Sequence, residues 1–327
     1  MKKLKAYIVL CCTSFSISLL ACDICGNYMG ITPYDNKSSI SFLHRYRVFN
    51  GYKNYQSQSQ FFPKSAYRIA HADEPNDSSI TKNYSSKDFE SYKIFEIRFK
   101  YFVLKRLELN VFVPLLNNKT KTDDQYISHT GLGDVSFNAG YHVIIPKADK
   151  KFRHKLILGA GIKLPTGNYY AHDAFSDRLP FEIQPGTGSW DGFVYSSYVV
   201  MTKKIGALLS LNYKVNGHNK YHEKLSNSHN EFASIFYKVP IKNMILYPSI
   251  QANYEYTDGL KIKNELQNNT DVNSLLLGPG IDIYYRSISI NLAWQFTAFE
   301  EVKNGSLKSA GRLSFGLNYS FGKKEKE

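Results

Sequence analysis

Two stretches near the C-terminus decide the fold: Ile288-Ser-Ile-Asn-Leu-Ala-Trp-Gln-Phe296 and Leu313-Ser-Phe-Gly-Leu-Asn-Tyr-Ser-Phe321. In the first, every even-numbered residue is large and apolar. In the second, every odd-numbered residue is. Between them stand only Ser, Asn, Gln, Gly and Ala. Successive side chains of a strand point to opposite faces, so this period of two predicts strands with one apolar and one polar face.

Working backwards, the same alternation predicts twelve strands. They cover about 38–49, 91–102, 106–115, 132–145, 153–164, 190–202, 206–215, 230–239, 243–256, 274–286, 288–299 and 309–321. The connections alternate too. Short ones (103–105, 146–152, 203–205, 240–242 and 287) trade places with longer polar ones (50–90, 116–131, 165–189, 216–229, 257–273 and 300–308). Strict alternation puts all short turns at one end, as in transmembrane barrels. The fold class expected is all-β, a twelve-stranded antiparallel transmembrane β-barrel over 38–321. The competing reading is a soluble twisted sheet with one buried face. Pro248 and Pro279 fall inside strands and are expected to make bulges.

Length and composition agree. The chain has 327 residues, 15% of them aromatic, with 25 Tyr and 21 Phe against 2 Trp. Mean hydropathy is −0.35, and after the first twenty-odd residues no apolar run is long enough for a membrane helix. Lys2, Lys3 and Lys5, the apolar run Ala6 to Leu20, and small Ala21 before Cys22 predict a signal peptide over 1–21. Residues 22–37 would form a periplasmic arm and 322–327 a charged tail. The net charge is +13, about +10 without the signal. The export signal and the lack of a dense basic run argue against nucleic acid. The predicted location is the outer membrane of a Gram-negative bacterium, reached through the barrel-assembly machinery, with outer-membrane lipids around the wall.

Parity then assigns the lumen. Arg45, Arg47, Arg98, Lys100, Lys155, Lys163, Lys214 and Arg312 point inward with Glu96, Glu108, Asp134, Glu255 and Asp282. This cationic excess predicts weak anion preference; the alternative is a salt-bridged plug. Gly159 and Gly161, also at inward parity, are expected to leave lumen space.

Two cysteines remain after the signal, in Cys22-Asp-Ile-Cys25. Lipidation of Cys22, a disulfide or soft-metal pair, and a bland arm all stay open. His218, His222 and His229 share one loop near Glu223, read as a metal catch or a solvated loop. His44 falls at lipid-facing parity, the placement a rim-active lipid hydrolase would need, though no Ser/His/Asn set at defined spacing accompanies it. No cofactor is expected.

Several motifs form a set: Gly131-Leu-Gly133-Asp134, Gly159-Ala-Gly-Ile-Lys-Leu-Pro165-Thr-Gly167 and Gln184-Pro-Gly-Thr-Gly-Ser-Trp190-Asp191. Together they resemble the outer-membrane transporters of the phenol meta-pathway family. Cys22 to Gly26, Gly30-Ile-Thr-Pro33 and Arg45-Tyr-Arg47 resemble its Bacteroidetes branch, although Asn27 stands where that branch would carry a third Cys. The resemblance implies a barrel that passes small molecules, aromatic or hydrophobic ones among them, across the outer membrane. Read physically, Gly131, Gly133, Pro165, Gly167, Trp190 and Asp191 are rim positions, and 185–188 is a loop able to fold into the mouth. Non-transporting structural or adhesive barrels and the lipid hydrolase are the alternatives.

Overall fold

A computed structural model describes residues 37–52, 88–122, 125–146, 150–172, 177–267, 272–301 and 307–322. The predicted signal peptide, the N-terminal arm with Cys22 and Cys25, and nearly all of the tail lie outside the described residues.

The strands are β1 (Ser38–Tyr52), β2 (Phe89–Leu104), β3 (Leu107–Thr122), β4 (Gln125–Leu132), β5 (Ser136–Ile144), β6 (Arg153–Lys163), β7 (Asp191–Met201), β8 (Ile205–Val215), β9 (Glu223–Leu225), β10 (Ser228–Tyr237), β11 (Val239–Ile241), β12 (Met244–Thr257), β13 (Leu260–Ile262), β14 (Glu265–Leu266), β15 (Val272–Tyr285), β16 (Ile288–Glu301) and β17 (Leu307–Phe321). Twelve of them form one antiparallel meander. It closes on itself because β1 pairs with β17, from Ser38 opposite Phe321 upward, while β10 pairs with β12. Closure leaves no row of edge N–H and C=O groups for hydrocarbon to strand.

The alternation sorts the side chains as the period requires. Ile235 and Ile250 on the outer face are 67% and 74% exposed. Their inward neighbours Ser234, Phe236, Ser249 and Gln251 are buried. Exposed Tyr101, Tyr141, Tyr237, Tyr285 and Tyr319 gather at the short-turn end. Tyr213, Tyr254, Tyr256 and Phe299 lie near the other end of the wall. Aromatic belts of this kind mark the two membrane interfaces. A soluble barrel would turn the pattern inside out.

Three expectations need correcting. The segment 132–145 is not one strand: the ladder breaks at 133–135, where Gly133 N–H donates to Pro114 O at 2.9 Å. Much of the expected loop 116–131 is strand, since β4 folds back on the upper half of β3 as a tall hairpin. Likewise β9, β13 and β14 form a small three-stranded sheet within two other long connections. The prolines make no bulge. Pro248 faces the interruption between β10 and β11, and Pro279 a gap in the β15–β16 ladder, both with register kept. The missing N–H costs nothing where no partner is presented. Register shifts occur instead at Leu275/Leu276 and Val48/Phe49.

Candidate functional site: the barrel lumen and its mouth

Inward parity gathers the charged side chains into three networks. At the mouth, Asp134 lies in the ladder break and points into the barrel. Its carboxylate accepts hydrogen bonds from Gly167 N–H (2.9 Å), Thr187 N–H (2.9 Å) and the Thr187 hydroxyl (2.8 Å). Lys163, at the end of β6, lies 2.5 Å from Asp134 and 2.8 Å from Asp191. Lys214 reaches Asp191 at 3.3 Å. Asp191 also accepts from Ser189 Oγ (2.8 Å) and Gly217 N–H (3.0 Å). Buried charges are tolerated only when paired and hydrogen-bonded, and these are both.

The same bonds hold 164–172 and 177–190 inside the mouth. Gln184 locks it further: its amide bridges Ala171 N–H and O and Leu179 O at 2.8–3.0 Å. Asn118 on β3 donates to the carbonyls of Glu182 and Ile183 at 3.4 Å. Ala171, Leu179 and Ile183 pack together beneath, with Ile127 against them. The glycines permit the interlock. A side chain on Gly131 would meet Pro185, and one on Gly167 would meet the backbones of Gly133 and Gly186. The motif glycines thus form a contact point, with Pro165 ending β6 just outside it and Trp190 exposed at the rim. Within this docked loop, outside the spanning strands, burial pushes the Glu182 carboxyl up to about 7, reinforced by the carboxylates of Glu90 and Glu223.

A second network lies toward the short-turn end. His142 Nε2 sits 2.9 Å from Glu108 Oε2, and Arg98 pairs with Glu96. Asn138 Oδ1 accepts from Asn110 (2.9 Å) and from the Tyr195 hydroxyl (3.0 Å). Gly159 and Gly161 do not open the lumen as expected. The ring of Tyr195 fills the place of a side chain at Gly159, and Phe193 that at Gly161.

The third network is a strut. Glu255 on β12 takes Arg47 of β1 at 2.6 Å and Arg312 of β17 at 2.5 Å. Arg312 also donates to Gln295 Oε1 at 2.6 and 3.0 Å. Beside it, residues of β1, β10, β12, β15, β16 and β17 line a small recess of about 60 Å³, Arg45 and Asp282 among them. One side of the lumen is apolar: Val199, Met201, Leu208, Phe232, Phe236 and Tyr247 form a buried cluster.

The structure therefore places Arg45, Glu96, Arg98, Glu108, Asp134, Lys155, Lys163, Lys214, Asp282 and Arg312 in the interior, and Arg47 and Lys100 are half-buried there. Parity missed three acids. Asp191, read as a rim motif residue, is buried in the mouth network. Glu300 turns inward after the β16 bulge, opposite buried Ser274, and Glu90 lies opposite Phe49 at the top of β2. With them the acids among these residues equal the bases in number. Gln184 and Thr187 belong to the 184–191 motif, but only the fold shows that they clamp the loop.

The remaining candidates stay apart. His218 lies 3.1 Å from Asn264, and His229 pairs with Glu231 at 3.4 Å. Among the described residues no three metal-ligating side chains are brought together. His44 faces outward and stacks on Phe95 at 4.3 Å, with Phe315 as its other cross-strand neighbour.

A closed wall with an apolar outer face, aromatic belts and a charged interior defines a transmembrane β-barrel of the outer-membrane kind. The chain belongs to the family described as "Putative MetA-pathway of phenol degradation", whose model matches residues 92–315. Among solved structures it is similar to an outer membrane channel from Pseudomonas putida F1, at 14% identity and a TM-score of 0.63, covering 90% of this chain and 98% of that one. The β domain of the Bordetella autotransporter BrkA aligns at 10% identity and a TM-score of 0.46, over 88% and 100% of the two chains. The CymD monoaromatic hydrocarbon channel aligns at 9% and 0.32, over 88% and 89%. No curated protein matches the sequence.

Proposed function

We propose that this barrel is a passive outer-membrane channel for small solutes, aromatic and hydrophobic ones included. The observation that carries the reading is the interior itself. A purely structural barrel needs no recess, yet here one of about 60 Å³ lies beside an apolar wall that holds Phe232. A ring-bearing solute can lie against that wall while its polar groups meet the opposite networks. The docked stretches 164–172 and 177–190 narrow the entrance and set the size limit. The solved channel from Pseudomonas putida F1 supports the same reading through its shared architecture.

The lipid-hydrolase alternative draws no support from His44, whose described ring neighbour is Phe95 rather than a hydroxyl or an amide. The test is reconstitution of the full chain into planar bilayers and solute-loaded liposomes. Conductance above the bare membrane and swelling in small solutes are expected. A silent bilayer together with liposomes that do not swell refutes the channel.

A further inference from the structure

The short-turn end of the barrel is basic all the way round. Each of its connections carries an exposed cation: Arg106 between β2 and β3, Lys151 between β5 and β6, Lys203 and Lys204 between β7 and β8, Lys242 ahead of β12, and Arg286 between β15 and β16. Lys37 extends the series to the seam, where Ser38 of β1 faces Phe321. Among the described residues of these connections there is no Asp or Glu. Residues 147–149, outside the described ones, read Lys-Ala-Asp. The long connections mix their signs: Asp177, Asp258 and Glu265 stand there among Lys220, Lys224 and Lys263. The segregation is therefore more than a reflection of the basic composition.

These cations sit where the apolar wall ends. Leu104, Phe152, Ile205, Ile241 and Ile288, all exposed, are their neighbours along the chain or lie two residues away. Lys151 Nζ lies 5.7 Å from the centre of the Phe152 ring, and the Arg286 guanidinium 5.3 Å from that of Tyr285. Tyr285 belongs to the outer aromatic belt, so its partner cation is held at headgroup level on the outside of the wall. Lys238 N–H donates to Lys204 O at 2.6 Å, which sets Lys204 beside the connection that carries Lys242. Arg286 follows in the next connection around the wall. A protein partner would sit against one side and needs one patch. Lipid meets the wall on every side, as these cations do. An anionic headgroup is attracted by each nearby Lys or Arg, and the attraction fades within a Debye length.

We propose that this basic collar selects anionic phospholipids, through their phosphodiester headgroups, from the leaflet at the short-turn end. In barrels of this kind that is the periplasmic leaflet. The barrel thus gathers a ring of negative lipid around its inner rim. The inference requires that the barrel sits in a bilayer, not that it conducts.

The test places the full chain in phosphatidylcholine bilayers with a trace of spin-labelled phosphatidylglycerol or spin-labelled phosphatidylcholine. Electron spin resonance reads the share of each probe immobilised at the wall. A headgroup beside one of these cations should be held about fivefold more tightly. Averaged over both leaflets, phosphatidylglycerol should be preferred about threefold at low salt, and the preference should vanish near 1 M KCl. The combined variant Lys203→Gln, Lys204→Gln, Lys242→Gln, Arg286→Gln should lose about half of it. The control Lys220→Gln, Lys263→Gln at the other end should keep it. Equal immobilisation of the two probes by the wild type overturns the proposal and leaves the collar to an acidic protein. So does a preference that the combined variant keeps in full, or one that the control loses equally. Phosphate in place of chloride at equal ionic strength should change nothing; a collapse in phosphate alone makes the collar a site for the free anion and overturns the lipid. If the combined variant fails to insert, Lys203→Gln with Lys204→Gln and the salt series decide. A silent bilayer with the preference intact refutes the channel and keeps the collar, and a conducting barrel without the preference does the reverse.

Discussion

Replacing Asp134 with Ala should free the segment that narrows the mouth. Three hydrogen bonds from Gly167 and Thr187 end on this carboxylate. A bond to a charged acceptor is worth about 1.5 kcal/mol at the low end, so their loss costs roughly 4 kcal/mol. The Lys163 pair adds little to that sum, because Lys163 keeps Asp191 at 2.8 Å. A change of roughly 4 kcal/mol raises the undocked population of 164–190 near a thousandfold. Single-channel recording should show a larger, flickering conductance, and limited proteolysis of the reconstituted protein a new cut between 164 and 190. Asp134→Asn, which keeps one acceptor oxygen, should fall between. Conductance and cleavage identical to wild type in Asp134→Ala would refute the argument that this carboxylate holds the loop.

The docked loop should also respond to pH. Glu182 rises from 4.5 to about 7 on docking, so the docked form binds the proton more tightly. The Glu182 contribution to docking is therefore fully present below pH 4.5 and is lost as pH rises through about 7; conductance should grow over that window, and Glu182→Gln should flatten the profile. On the lipid face, Ile250→Arg should cost about 2–4 kcal/mol of unfolding free energy in liposomes, the range for a cation near mid-bilayer. Gly159→Ala should cost about 1–3 kcal/mol through collision with the Tyr195 ring, seen as a lower temperature for the gel shift on heating, and Tyr195→Ala in the same chain should recover part of it.

The wall was legible because its physics is local. Lipid outside and polar groups inside impose a period of two on every strand, and Ile288 to Phe296 displays it without help. The mouth was not, because its bonds are made by backbone N–H groups that every residue carries. Nothing in Gly167 or Thr187 announces that it donates to Asp134. The glycines misled for a related reason: Gly159 looks like empty lumen until Tyr195 from the next strand lies across it. Asp191 reads as a rim residue from its motif, and only the pairing of Lys163 with Asp191 across β6 and β7 shows its depth. Glu300 escaped because the predicted strand stopped at 299, whereas β16 runs on to Glu301 and a bulge turns Glu300 inward.

The seam between β1 and β17 carries a consequence for how the molecule is made. The first strand finds its second neighbour only in the last, and Ser41 donates to Asn318 across 277 positions of chain at 2.6 Å. Until the final strand is delivered, β1 presents a bare ladder, and a nascent wall cannot be left in hydrocarbon in that state. Insertion and closure must therefore be one cooperative event, timed by the arrival of Leu313 to Phe321. Truncation of those few residues should abolish assembly altogether rather than yield an eleven-stranded barrel.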